Sequence, residues 1–97
     1  MFIATRTIQI QPGKKYDYVT QWQQAIAPRI ARQPGNITAW IISGQHDDEV
    51  MLISQWQQED HYRAWQASDT YRQVYGYIGR LVRKQGQDSY QRISAAM

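Results

Sequence analysis

The sequence predicts an α+β fold, in which helices pack against an antiparallel sheet. Three short segments have the alternation, or the β-branched and aromatic composition, that is typical of strands. In two longer segments apolar residues recur every three or four positions, as they do along one face of a helix. Because 97 residues is the length of one small domain, we expect residues 1–97 to form a single domain.

The first predicted strand lies in the opening stretch MFIATRTIQI. Strand side chains alternate between faces, and one face here carries Phe2, Ala4, Arg6, Ile8 and Ile10. Arg6 is the exception on this apolar face, where an unpaired buried cation would cost several kcal/mol. Either its aliphatic stem packs in the core while its head reaches a carboxylate or water at the rim, or it points a fixed positive charge into a cleft.

The first helix is predicted over the periodic residues 18–30, after the turn signal Gln-Pro-Gly at residues 11–13. Pro28 lies inside this pattern and has no backbone N–H to donate. We therefore expect a kink or a break near Ala27. A second Gln-Pro-Gly turn at residues 33–35 ends the segment.

Two further strands, Ile37 to Ser43 and Val50 to Trp56, are predicted to form a hairpin around the loop of residues 44–48. Both strands carry apolar side chains on both faces. The opposing sets are Ile37, Ala39 and Ile41 against Trp40 and Ile42, and Met51 and Ile53 against Val50, Leu52 and Trp56. Since one layer of helices covers only one face of a sheet, a second copy of the chain is expected to cover the other.

The helical period returns from Glu59 onward, with Tyr62 and Trp65 in a short first piece. Ser68 is the predicted N-cap of a second piece, with Asp69 in its favourable first turn. The apolar stripe of that piece consists of Tyr71, Val74, Tyr75, Ile78, Leu81 and Val82.

Gly86 is the expected end of this helix, and Ser89 to Ala95 are predicted to form a last strand. The resulting order of elements is β-α-β-β-α-β. This order is that of the ferredoxin-like fold, one antiparallel sheet with helices on a single face.

The composition argues against several classes of protein. A net charge of +3 with adjacent basic residues only at Lys14-Lys15 and Arg83-Lys84 does not favour a nucleic-acid partner. The apolar runs are too short for a membrane span and the N-terminus lacks the order of a secretory signal, so a cytoplasmic protein is expected. With no cysteine, and with His46 and His61 far apart in sequence, neither a disulfide nor a metal site is predicted.

Three stretches resemble the antibiotic biosynthesis monooxygenase family of dimeric α+β barrels. They are IATRTIQIQPG, QPGNITAWII and ISQWQQEDHYRAWQASDTYRQV. The last is the most specific, because it looks like the family's strand ending in Trp, followed by a short acidic helix and an Ala-Trp pair. A Ser then follows, and an aromatic residue comes shortly after it. The resemblance implies a homodimer.

The resemblance also implies two kinds of reaction. Family members include cofactor-independent oxygenases that act on quinols and polycyclic phenols, and haem-degrading enzymes of the staphylococcal and mycobacterial type. In the haem-degrading branch, an Asn on the first strand, the Trp of the Ala-Trp pair and a His on the following helix form the site. The matching positions of this chain carry Arg6, Trp65 and Tyr75.

Six residues are candidates for the site, none of them a metal ligand. They are Arg6, Trp65 and Tyr75 as catalytic residues, and Trp22, His61 and Tyr71 as substrate-binding residues. Arg6 would hold a developing phenolate, and the aromatic residues would orient the substrate. Alternatively, Trp65 and Tyr75 are core residues, as aromatic residues on helical stripes usually are, and His61 is solvated beside Glu59 and Asp60.

Three functions are therefore open. The leading hypothesis is a cofactor-independent monooxygenase that uses O2 and a small electron-rich aromatic, because such chemistry needs only an apolar cleft, a proton acceptor and donors for the anion. The second is a haem-binding monooxygenase, since a phenolate can ligate iron. The third is a dimeric ligand-binding module without catalysis.

Overall fold

The computed structural model describes residues 1–43 and 46–92, and the side chains within these ranges up to Arg83. Its elements follow the predicted order. The strands are β1 (Phe2–Ile10), β2 (Asn36–Ser43), β3 (Glu49–Trp56) and β4 (Val82–Arg92), and the helices are α1 (Lys15–Gln21), α2 (Ala27–Ala31), α3 (Glu59–Gln66) and α4 (Asp69–Ile78). The four strands form one antiparallel sheet in the order β2-β3-β1-β4, which confirms the ferredoxin-like α+β fold.

Alternation along β1 separates its two faces as predicted. Phe2, Ala4, Ile8 and Ile10 are buried against the helices, while the residues between them are half-buried on the other face. Arg6 belongs to the inner row and is half-buried. The charge therefore lies between the sheet and the helices.

The first helical segment is irregular just before Ala27, where a kink or a break was predicted, but its backbone remains helical. Five residues in π-helical conformation, Trp22–Ile26, connect α1 to α2, and Pro28 stands in the first turn of α2. A proline is tolerated there because the first N–H groups of a helix have no intrahelical acceptor.

Ser68 caps α4 as predicted, since its hydroxyl accepts a hydrogen bond from the Tyr71 N–H at 3.1 Å. The expected end at Gly86 is wrong. The helix ends at Ile78, a 3-10 turn covers Gly79–Leu81, and β4 begins at Val82.

The physical reason for the early end is strand pairing. The Leu81 carbonyl accepts a hydrogen bond from Gln11 N–H at 2.8 Å, and from Val82 onward the chain pairs with β1. Most residues from Val82 onward thus gain a pairing partner on β1 in place of their helical hydrogen bonds. The last strand begins seven residues before the predicted Ser89, and residues 93–95 of that prediction lie outside the described residues.

Strand β2 exposes apolar side chains on the outer face of the sheet. Trp40 and Ile42 expose 41% and 42% of their surface, whereas Ala39 and Ile41, which were predicted to lie on the opposite face from them, pack toward the core. Ile37 was expected beside these inner residues, but it is 47% exposed. A register shift between Asn36 and Thr38 leaves Ile37 as an extra residue, which displaces it from the inner row.

Within residues 1–43 and 46–92, the helices are too short and too polar to cross a bilayer.

Two glycines with positive φ provide a matched test of how α3 is held against the turn before β2. Gly13 (φ 77°) faces open space, whereas a methyl group on Gly35 (φ 79°) would overlap the His61 ring. We expect Gly13→Ala to lower the free energy of unfolding by about 1 kcal/mol and Gly35→Ala by about 3 kcal/mol, because the second adds a clash to the same backbone strain. Urea denaturation measures the free energy of unfolding of both variants. Equal losses would show that α3 moves away from the new methyl group without a loss of stability.

Candidate functional site

A cavity lies between the inner face of the sheet and the helices. It has a volume of about 380 Å³, including its open mouth. The sheet residues that line it include Ala4, Arg6, Ala39, Leu52 and Ser54, and the helical residues are Trp22, Ile30, Tyr62, Trp65, Tyr71 and Tyr75. The cavity is thus walled by aromatic rings and holds a single cationic side chain among its described lining residues.

The cavity exists because a row of small residues crosses the sheet. Ser54 on β3 is paired with Ala4 on β1 and with Ala39 on β2. Residues directly opposite one another in antiparallel strands share a face, so these three short side chains form one stretch of the floor. The neighbouring rows are bulkier: Phe2 pairs with Trp56 on one side, and Arg6 pairs with Leu52 on the other.

Arg6 joins the sheet to α4. One guanidinium nitrogen, Nη1, donates a hydrogen bond to the Tyr71 hydroxyl at 2.9 Å. The Tyr71 ring lies 4.6 Å from that of Tyr75 and 5.4 Å from that of Trp65, the latter edge-on at 87°. The two predicted catalytic aromatics and Arg6 are therefore connected through Tyr71.

Tyr75 is a neutral phenol in this environment. Burial raises its pKa above the ordinary value, the nearby Tyr18 and Tyr71 act in the same direction, and the Trp22 hydrogen bond and the Arg6 charge oppose them without prevailing. Its hydroxyl accepts a hydrogen bond from Trp22 Nε1 at 3.3 Å. Near neutral pH, Tyr75 can orient a ligand or share a hydrogen bond, but it does not accept a proton as a base.

Tyr18 lies behind this cluster and did not figure among the predicted site residues. Its side chain is fully buried, and its hydroxyl has no hydrogen-bond partner among the described residues. Burial raises its pKa, against the opposing charge of Arg6. The helical period marked Tyr18 as a buried residue, but no sequence signal indicated that its hydroxyl would be near Arg6.

The structure thus brings five of the six predicted site residues to one cavity, and His61 does not line it. Helix α3 buries Tyr62 and Trp65, which are three residues apart, so His61 lies at the edge of that face. Its ring contacts Gly35, and its Nδ1 is buried without a hydrogen-bond partner in the described part of the chain. His61 is therefore not placed to accept a proton from a ligand in the cavity.

Ser54 is a polar lining residue that no sequence pattern singled out. It is only 8% exposed, and its Oγ accepts a hydrogen bond from Trp56 Nε1 at 2.9 Å. The indole fixes the hydroxyl on the cavity floor. A serine in an apolar strand carries no periodic signal, and its position emerges only from the register with Ala4 and Ala39.

Comparison with known protein families decides the family. The family model described as antibiotic biosynthesis monooxygenase matches residues 1–76. The chain belongs to the antibiotic biosynthesis monooxygenase family. The matched range includes β1, the hairpin and most of α4, and so contains the residues of the cavity.

Solved structures show the same fold at low sequence identity. A protein from Bordetella bronchiseptica that carries the family's name superposes with a TM-score of 0.85 at 17% identity, over 97% of each chain. A conserved protein from Methanosarcina mazei gives 0.83 at 13% identity, over 96% of this chain and 92% of its own. A Nitrosomonas europaea protein gives 0.80 at 12%, over 94% and 96%. The comparison with curated proteins gave no match.

The residues of the cavity can be compared with the needs of haem, the cofactor of the second hypothesis. Among the described lining residues the side chains suited to ligate haem iron are phenols. Burial disfavours the Tyr75 phenolate that would bind iron, and the Tyr75 oxygen already accepts a hydrogen bond from Trp22. Tyr75, which occupies the position of the predicted ligand, therefore fits haem iron poorly.

The raised phenol pKa values give a pH dependence of known sign. Above the ordinary tyrosine pKa of 10.0, the unfolded chain releases protons that folded Tyr18 and Tyr75 retain. The free energy of unfolding should therefore be insensitive to these groups below pH 10 and should fall above it, by up to about 1.4 kcal/mol per pH unit for each phenol.

Urea denaturation at a series of alkaline pH values measures this slope. Tyr18→Phe and Tyr75→Phe should each flatten it, while Tyr16→Phe, at a ring that is 80% exposed, serves as the matched control and should leave it unchanged. A wild-type curve that stays level above pH 10 would contradict the burial of both hydroxyls.

Proposed function

We propose that the protein is a monooxygenase that oxidises a small electron-rich aromatic compound, a quinol or polycyclic phenol, without a metal or flavin. The observation that carries the proposal is the Arg6 guanidinium, held by Tyr71 inside a cavity walled by aromatic side chains. Membership of the family supports the reaction class, and the aromatic walls and the Arg6 charge of the cavity support the substrate class.

The reaction needs no external reductant. A substrate carbon that carries two hydrogens, in the keto tautomer of the phenol, becomes a carbonyl; one atom of O2 enters the product and the other leaves as water with those two hydrogens. All four electrons come from the substrate. The protein's task is therefore to favour the electron-rich anion that reacts with O2.

Arg6 is the residue suited to that task. A guanidinium stays charged at every working pH, so a phenol bound beside it has a lowered pKa and ionises more easily. Tyr71 fixes the guanidinium, and the rings of Trp65 and Tyr75 confine the substrate plane. Since Tyr75 is itself a neutral phenol and His61 is outside the cavity, the substrate proton passes to water at the open mouth.

Oxygen consumption with a panel of quinols and naphthols tests the proposal. We expect substrate-dependent uptake that Arg6→Ala lowers about a hundredfold, the usual effect of removing one donor from a developing anion. Arg32→Ala, at an exposed residue of the turn after α2, is the control and should retain full activity.

Uptake by wild-type protein that equals uptake by Arg6→Ala would contradict the proposal for those substrates. A haem titration then distinguishes the two alternative functions, haem binding and ligand binding without catalysis. A Soret shift that Tyr75→Phe abolishes would favour the haem-binding hypothesis, whereas tight aromatic binding without turnover would favour a ligand-binding module.

We further propose that the protein is a homodimer whose two sheets meet face to face. Trp40 and Ile42 are exposed on the outer face, and the half-buried Ile53 and Met51 are paired with them on β3. The helices pack on the inner face, and neighbouring exposed apolar side chains on the outer face are a feature typical of an interaction surface. Thr5 and Thr7, on the same outer face of β1, would provide hydrogen-bonding groups in the seam.

Sedimentation equilibrium at low micromolar protein measures the assembly. We expect twice the 11.4 kDa chain mass, with an interface of roughly 2,000 Å² in total, the size class of permanent dimers. Trp40→Lys should shift the protein to monomer or unfold it, because it places a charge in the apolar seam. Gln24→Lys, at an exposed helical residue, is the control. A stable, folded wild-type monomer would contradict the proposal.

A further inference from the structure

The hydroxyl of Ser54 has a bonding capacity that the described residues leave unused. A serine hydroxyl can accept two hydrogen bonds and donate one. Ser54 Oγ accepts from Trp56 Nε1 at 2.9 Å, and it donates to no acceptor among the described residues. The residue is buried and lines the cavity. Its proton is thus available to an acceptor inside that space.

The sheet register relates this hydroxyl to Arg6. Ser54 is paired with Ala4, two residues before Arg6 on the same face of β1, so Ser54 and Arg6 are diagonal neighbours. Diagonal neighbours in an antiparallel pair are about 7 to 8 Å apart at their Cα atoms. The short side chains of Ala4 and Ala39 flank Ser54 and leave the floor open around it.

We propose that Ser54 is a specificity residue, and that the ligand of this cavity is an aromatic with two oxygen substituents at opposite ends. One oxygen lies at Arg6 and Tyr71, where a negative charge is stabilised, and the second accepts a hydrogen bond from Ser54. This inference rests on the proposed function for the site, but it concerns binding and holds whether or not turnover follows. Trp56 acts as a positioning residue, because it reaches the ligand only through Ser54.

The apolar surroundings make the site selective for a ligand that carries the second oxygen. The described lining residues around Ser54 include four with wholly apolar side chains, namely Ala4, Ala39, Leu52 and Ile30. A ligand oxygen placed among them loses its hydrogen bonds to water and regains one at Ser54. A ligand with a methyl group in that position leaves the Ser54 hydroxyl unpaired instead.

A cycle of two ligands and two proteins tests the proposal. Hydroquinone and p-cresol have the same size and differ in the second oxygen, and isothermal titration calorimetry under argon measures their Kd without oxidation. We expect Ser54→Ala to weaken hydroquinone binding roughly tenfold relative to its effect on p-cresol, the value of about one hydrogen bond. Ser43→Ala makes the same substitution at an exposed position on β2 and should change neither Kd.

A second variant controls for destabilisation by the Trp56 indole when Ser54 is removed. Ser54→Ala leaves the buried Trp56 Nε1 without its acceptor, so the double variant Ser54→Ala/Trp56→Phe removes both groups and should show the same tenfold preference change. Equal effects on both ligands, or no detectable binding of either by the wild-type protein, would overturn the proposal. A selective effect combined with an absence of oxygen uptake would leave it standing and contradict the monooxygenase function instead.

Discussion

A positive charge on the inner face of the sheet is the constraint around which the middle of this protein is arranged. Strand alternation turns Arg6 toward the helices, where an unpaired ion would cost several kcal/mol. The Tyr71 hydroxyl approaches it from α4 at 2.9 Å, so the sheet and the second helical layer are joined by a charge-assisted hydrogen bond. Apolar packing dominates both ends of β1, with Phe2 at one end and Ile8 and Ile10 at the other.

The cavity beside Arg6 follows from the sizes of three side chains. Ala4, Ser54 and Ala39 form one row of short side chains across the sheet, and they line the cavity together with Trp22 and Trp65 of the helical layer. Filling that row with larger residues would close the core, and native cores are usually filled to near-crystal density. The retained space therefore gives up packing energy at the place where the charge is found, a combination typical of a ligand site.

The sequence predicted the inward position of Arg6 and the buried faces that carry Trp65 and Tyr75, because periods of two and of 3.6 residues determine which way a side chain points. It did not predict features that depend on contacts between elements. Gly86 resembled a helix end, but pairing with β1 ends the helix at Ile78. The four-residue spacing of His61 from Trp65 is correct for a helix, yet spacing alone does not say which edge of the helix meets the sheet.

Family membership and fold do not determine the chemistry, which depends on particular residues. Structural neighbours with 12–17% identity share little beyond the backbone. In this chain the described lining residues carry one full charge, that of Arg6. Burial raises the pKa values of Tyr75 and of Tyr18 behind it, so both are neutral phenols that cannot take up a proton near neutral pH. Under the proposed function, the acid that ionises in this cavity is therefore the ligand itself, and the guanidinium of Arg6 favours its anion.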